Sequence, residues 1–236
     1  MRKNKRPFIV DADDAGGLMI LVDKPGNCSS ARAVNRIKKK LNVKKAGHSG
    51  TLDPMATGLL IVCSGKMTKK LNELLECDKE YEGVMVLGAS TRSYDAETEI
   101  VENRPIGNLD YTKISKAATE FLGEIEQLPP MFSAVKYGGK PLYKYARKGQ
   151  ELERVTRKIR IDKFEILNVE MPEAGFRVSC SKGTYIRALV HDLGQLLGTG
   201  AYMKELRRTK IGQFSVDEAI ELDDFLKTDL NFLPEA

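Results

Sequence analysis

Residues 45–63 read KAGHSGTLDPMATGLLIVC. A histidine, two glycines and an Asp-Pro pair occupy residues 47–54, directly ahead of the apolar run GLLIVC at 58–63. Gly47 and Gly50 permit turns and close backbone approach, and Pro54 biases Asp53 away from the helical basin. Two readings compete. In one, Asp53 is a helix N-cap with proline at the first helical position and Gly58 ends the short turn. In the other, the segment is a shaped loop that presents polar groups at the mouth of a strand.

Working outward, GLMILVDKP at 17–25 reads as an apolar strand stopped by a turn. Ser29 or Ser30 can cap the helix that follows, with Val34, Ile37 and Leu41 on one face. Strands are expected at 58–63, 81–89, about 158–170 and 175–181. An amphipathic helix is expected over 112–122, closed by Gly123. TYIRALVHDLGQLLG supplies another helix, with Ile186, Leu189, Val190, Leu193 and Leu197 on its apolar side and His191 packed close to it. Ser215 and Glu218 form a capping box for a last short helix. Strands and helices mix without a regular βαβ alternation, which argues for an α+β fold.

Between these elements, residues 128–151 (LPPMFSAVKYGGKPLYKYARKGQE) keep no period and mix prolines, glycines, aromatics and lysines, as a long functional loop does. No repeat or linker divides the chain. The expected organisation is a mobile, charged arm at 1–15 and one domain over 16–236.

Composition narrows the function. With 236 residues, 42% hydrophobic and 30% charged, the chain can bury a sizeable core. No apolar run approaches a membrane span, and no apolar segment follows the basic N-terminal residues, so a cytoplasmic protein is expected. Cys28, Cys63, Cys77 and Cys180 are too widely spaced for a Cys-x-x-Cys site, and His48 and His191 are the only histidines, so neither a metal site nor a disulfide framework is expected. The net charge is only +5, yet residues 32–45 and 143–160 carry seven basic residues each, the second run with Tyr143 and Tyr145 among them. Patches of this kind suit a nucleic acid, whose counterions are released as phosphates are neutralised.

Several blocks resemble the TruB-type tRNA pseudouridine synthases: LVDKPGNCSS, GHSGTLDPMATGLLIVC, DKEYEGVMVLG, SYDAET, QLPPMFSAVKYGGKPLYKYARKG, CSKGTYIRALVHDLG and YMKELRR. The resemblance covers roughly residues 17 to 215, in order. It departs from the family pattern at Arg92, Ser93 and Thr98, so the loop at 90–98 is expected to have its own shape, with Asp95 retained. It also implies a pseudouridine synthase fold whose central sheet is mixed and mainly antiparallel. It further implies a chain without the PUA domain of many relatives, and an insertion at 128–151 that grips the tRNA T-arm.

The implied reaction isomerises the T-loop uridine at position 55. The N1–C1′ bond breaks, the uracil turns over, C5 joins C1′ and the C5 proton leaves. Nothing is oxidised or lost, so no cofactor is called for. By resemblance Asp53 is the catalytic carboxylate, attacking C1′ or C6 or assisting glycal formation. A carboxylate covered by a base tends to protonate unless a cation is near, and the family supplies one at Arg187. Tyr81 matches the tyrosine that stacks on the target uracil, and Tyr185 and Leu206 match base contacts. The uridine must be flipped out of its stack, and the family gives His48 the vacated space. Asp95 and Lys24 complete the substrate-binding set. Lys136, Lys140, Lys144 and Arg147 are the candidate backbone contacts. The resemblance implies tRNA as partner, with no obligate protein and a monomeric enzyme.

Two alternatives remain open, and a third is disfavoured because the clustered basic residues do not suit a neutral sugar. Catalytic subunits of guide-RNA pseudouridylation particles share GHSGTLDP and GTYIR. A non-catalytic RNA-binding or chaperone module would need no Asp53. A glycoside hydrolase would use Asp95 as a second carboxylate.

Overall fold

The computed structural model describes residues 8–12 and 17–229, which fall into two compact units: residues up to 81 together with 206 onward, and residues 82–205. The first opens with β1 (Ile9–Ala12), β2 (Leu18–Lys24), α1 (Ser30–Lys40), β3 (Ala46–His48) and β4 (Thr57–Ser64). A 3-10 turn at Gly65–Lys70, α2 (Leu71–Glu76) and the start of β5 (Lys79–Leu87) follow.

β2 and β4 pair antiparallel, Leu21 opposite Ile61. Leu18, Ile20, Val22, Leu60 and Val62 pack against Ala33, Val34 and Ile37 of α1, while Met19, Leu21, Leu59, Ile61 and Cys63 pack with Met67 and Leu74. Both faces are covered, so these strands read as unbroken apolar runs instead of alternating ones. Each fully enclosed side chain, such as Ile37, contributes on the order of 1.5–3 kcal/mol. The Ser29 hydroxyl caps α1, accepting from the Arg32 amide at 3.2 Å, and Lys38–Lys40 sit at the helix end that favours cations.

The second unit holds the rest of β5, then β6 (Ala89–Thr91), β7 (Ile100–Asn103), α3 (Tyr111–Thr119) and β8 (Gly123–Gln127). The hairpin β9 (Lys136–Tyr137) and β10 (Lys140–Pro141) comes next, then α4 (Tyr143–Ala146). The long strands β11 (Arg157–Glu170) and β12 (Glu173–Cys180), α5 (Ile186–Leu196) and the first half of β13 (Ala201–Ile211) complete it. The chain then returns to the first unit through the end of β13, β14 (Phe214–Ser215), β15 (Ile220–Glu221) and α6 (Leu222–Lys227).

The first unit orders its strands β1-β2-β4-β13, and the second β5-β12-β11-β8. The β13–β4 and β15–β2 pairings are parallel, whereas β2–β4, β11–β12 and β11–β8 are antiparallel. The result is an α+β fold with a mixed, mainly antiparallel sheet flanked by helices. The unit boundaries fall inside β5 and β13, so no linker composition marks them.

Three local expectations need correction. Of the N-terminal arm at 1–15, residues 1–7 and 13–15 lie outside the described residues, but residues 8–12 are packed: β1 pairs with β2, and the Phe8 ring meets Phe225 edge-on at 6.2 Å. The helix expected over 112–122 ends its α-helical span at Thr119. Residues 120–122 continue it as a tightened turn of i to i−3 hydrogen bonds, and Gly123, at φ +91°, starts β8. No helix follows Asp53, so it is not an N-cap. The Ala56 amide donates to the Asp53 carbonyl at 3.1 Å to close a single turn, and Gly58 lies within β4.

Candidate active site

In the first unit the sequence 48–54 forms a loop between β3 and β4 that is held from two sides. Arg208, on β13, is 1% exposed; its Nε donates to Leu59 O at 2.8 Å and its Nη2 to Gly50 O at 3.1 Å. Arg208 can lie there because Gly58, opposite it in the parallel β4–β13 register, has φ +101° and no side chain: a Cβ would come within 2.3 Å of the Arg208 carbonyl oxygen. From the other side, Lys24 is fully buried, and its ammonium donates to the carbonyls of Cys28 (2.6 Å), Pro25 (2.8 Å) and Pro54 (3.4 Å). Burial pushes the Lys24 pKa down, and the neighbouring Cys28 and Asp53 oppose that shift. Lys24 therefore braces the turn carrying Asp53 from within the protein.

Asp53 itself is half-buried, as is His48. His48 Nδ1 accepts from the Gly50 amide at 3.2 Å. Burial, and then the Arg208 charge, hold the His48 pKa below its ordinary value, so near neutral pH the ring is uncharged. Tyr81, on β5, and Leu206, on β13, are buried at 9% and 8% exposure.

The second unit brings Asp95 and Arg187 together. Arg187 is 3% exposed in the first turn of α5; its Nε lies 3.4 Å from Asp95 Oδ2, Nη1 donates to Ser93 O at 2.9 Å and Nη2 to Phe132 O at 3.0 Å. Asp95, 2% exposed, also accepts from the Ser93 hydroxyl and the Glu97 amide through Oδ1. Its carboxylate is thus enclosed by protein partners. Tyr94 between them has φ +64°, and its ring stacks on His191 at 3.8 Å between centroids. His191 is thereby packed, as its place on the helix predicts.

Tyr185, half-buried, is the N-cap residue of α5. The 128–151 stretch is no bare loop: β9 and β10 flank Gly138 and Gly139, both at positive φ, and one helical turn follows. Met131, Ser133 and Leu142 are buried at its base, while Lys136, Lys140, Lys144 and Arg147 are exposed. Among the described residues no group of three or more His, Cys, Asp or Glu side chains could hold a metal ion, and no helix is long and apolar enough to cross a membrane.

Residues 38–186 match the N-terminal domain of TruB family pseudouridylate synthases, and residues 187–231 match the tRNA pseudouridylate synthase B C-terminal domain. This chain belongs to the TruB family. A Flavobacterium johnsoniae relative named tRNA pseudouridine synthase B is 48% identical over 89% of this chain and 94% of its own length. A Cupriavidus metallidurans relative of the same name is 48% identical over 92% of this chain and 69% of its own. Among solved structures, one chain of a Cbf5-Nop10-Gar1 complex superposes with TM-score 0.71 at 38% identity, covering 90% of this chain; this chain spans only 54% of that one.

Within the TruB-family segment, sequence reasoning missed Arg208. Arg208 left a readable trace. It shares the inward parity of Leu206 in YMKELRRTKI, and a charged residue at a core-facing strand position needs buried partners.

Proposed function

We propose that this chain converts uridine to pseudouridine in tRNA, at position 55 of the T-loop. The observation that carries the reading is the loop at 48–54, in which two fully enclosed cations, Lys24 and Arg208, brace the turn that offers Asp53. Asp53 is the reacting carboxylate, at C1′, at C6 or in glycal formation. Arg187, its guanidinium fixed by Asp95, Ser93 and Phe132, is the cation this chemistry requires. Tyr81 stacks on the uracil and helps remove the C5 proton, and Tyr185 and Leu206 contact the base. The uncharged His48 ring suits a stacking role in the space left by the flipped nucleotide. Lys24 and Asp95 position other groups. Lys136, Lys140, Lys144 and Arg147 meet phosphates. The reaction is redox-neutral and loses no atoms, so it requires no electron acceptor.

In this reading residues 16–236 work as one catalytic domain with a tRNA-gripping segment at 128–151. The enzyme acts in the cytoplasm as a monomer with no obligate protein partner. The test is tritium release from C5-labelled uridine in an isolated T-arm hairpin, with pure protein and excess EDTA. Release is expected. No release from the hairpin or from full-length tRNA would overturn the reading. Release only after a guide RNA and further proteins are supplied would favour the second reading, which the likeness to the Cbf5-Nop10-Gar1 complex motivates.

A further inference from the structure

Gln127 and Arg157 stand opposite each other in the β8–β11 ladder, at the two roots of the 128–151 segment. Both reach the same residue. The Gln127 side chain, 1% exposed, donates through Nε2 to the Tyr185 carbonyl at 3.0 Å and accepts through Oε1 from the Tyr185 amide at 2.8 Å. An amide side chain thus imitates a strand neighbour for a single residue, satisfying both main-chain groups of a helix N-cap position that its own side chain does not cap. The Arg157 guanidinium lies over the Tyr185 ring, 5.3 Å from its centroid, within cation–π range. One root fixes the backbone of Tyr185 and the other fixes its ring.

The consequence runs in two directions. Two residues beyond Tyr185 stands Arg187, whose Nη2 is bonded to Phe132 near the start of the same segment. Arg154, three residues before Arg157, donates to Pro129 O at 3.1 Å and ties the segment's two ends together. The roots of the 128–151 segment are thus tied to Tyr185 and to Arg187.

We propose that Gln127 and Arg157 are positioning residues that hold Tyr185 in place for the target base and couple it to the segment at 128–151. The proposal rests on the reading of Tyr185 as a base contact, and its test separates the two. In Arg157→Met, which keeps the bulk of the stem and removes the guanidinium, the single-turnover rate at saturating tRNA should fall at least about tenfold, while the Kd for tRNA changes less than about threefold. In a Tyr185→Ala background the same change should cost nothing more, because the ring it acts on is gone. Gln127→Ala should lower the rate in the wild-type background and cost little more in the Tyr185→Ala background, because the ring whose backbone it holds is gone.

A structural readout needs no activity. In protein carrying fluorotyrosine, the 19F signal that Tyr185→Phe removes should shift in Arg157→Met without RNA. A weaker Kd and a flatter salt dependence with an unchanged saturated rate would make Arg157 a phosphate contact and overturn the proposal. So would an equal loss of rate in the Tyr185→Ala background, or an unmoved 19F signal. A shifted signal in a protein whose wild type forms no pseudouridine would keep the clamp and remove the functional reading instead.

Discussion

Arg208 Nη2 donates to the carbonyl oxygen of Gly50 across 3.1 Å, so a side chain from β13 sets the height of a loop that precedes β4. Arg208→Met would leave that carbonyl and the Leu59 carbonyl without their donor. Two such losses in an enclosed site predict a stability decrease of about 2–4 kcal/mol in urea unfolding. The His48 pKa should rise, because a neighbouring cation that lowers it is gone. An NMR titration of the His48 ring that shows no rise would break the link between the two residues.

Asp53→Asn keeps the shape of the half-buried side chain and removes its charge. Turnover should fall below detection while tRNA affinity stays within about threefold of wild type. Tritium release and filter binding on the same preparations measure both. Multiple turnovers by this variant would take the reacting role away from Asp53.

Arg187→Lys replaces a planar fork by a point charge that cannot serve Asp95, Ser93 and Phe132 together. A fall in stability of about 1–3 kcal/mol is expected, with a loss of turnover of at least about a hundredfold per folded molecule. The stability loss follows from the 3% exposure of this arginine, whose partners are left in an enclosed site.

His48 and His191 both have pKa values held below the ordinary value, each first by burial and then by an arginine, Arg208 for one and Arg104 for the other. A histidine depressed on folding binds its proton more readily when unfolded, so its contribution to stability is lost as pH falls from above its unfolded pKa toward the folded one. Stability should therefore decline as pH drops from 7.5 to 5.5. In His48→Asn and His191→Asn that decline should be shallower than in wild type. Parallel curves for wild type and variants in chemical unfolding would contradict this.

Much of this architecture could be read in advance. Ser29 capping α1, the unbroken apolar runs of β2 and β4, and the helix carrying Arg187 all follow from local chemistry and period. What escaped depends on pairing between distant segments. β13 reads as an ambiguous mixture of basic and apolar residues until β4 is laid parallel to it. The Asp-Pro pair imitates a helix start because the signal is the same for a cap and for a tight turn. Asp95 reads as a substrate-binding residue, and its ion pair with Arg187 is not legible because the two lie 92 positions apart.

Replacing Lys136, Lys140, Lys144 and Arg147 together by alanine removes up to four exposed cations from the hairpin and helical turn of the 128–151 segment. The slope of log affinity against log salt should flatten by as much as about 3 units, with the unfolding midpoint unchanged. An unaltered slope would move the phosphate contacts elsewhere, to the seven basic residues of 32–45 first.

The bond from Arg208 to Leu59 joins residues 149 positions apart. At a synthesis rate of roughly 5–20 residues per second, about 7 to 30 s separate the emergence of the two partners from the ribosome. For that interval the Asp53 turn exists as chain without its brace from β13, and its two glycines leave it free to sample many shapes. A nascent polypeptide halted before residue 208 should therefore be chemically silent toward RNA even with Asp53, Tyr81 and Arg187 already made.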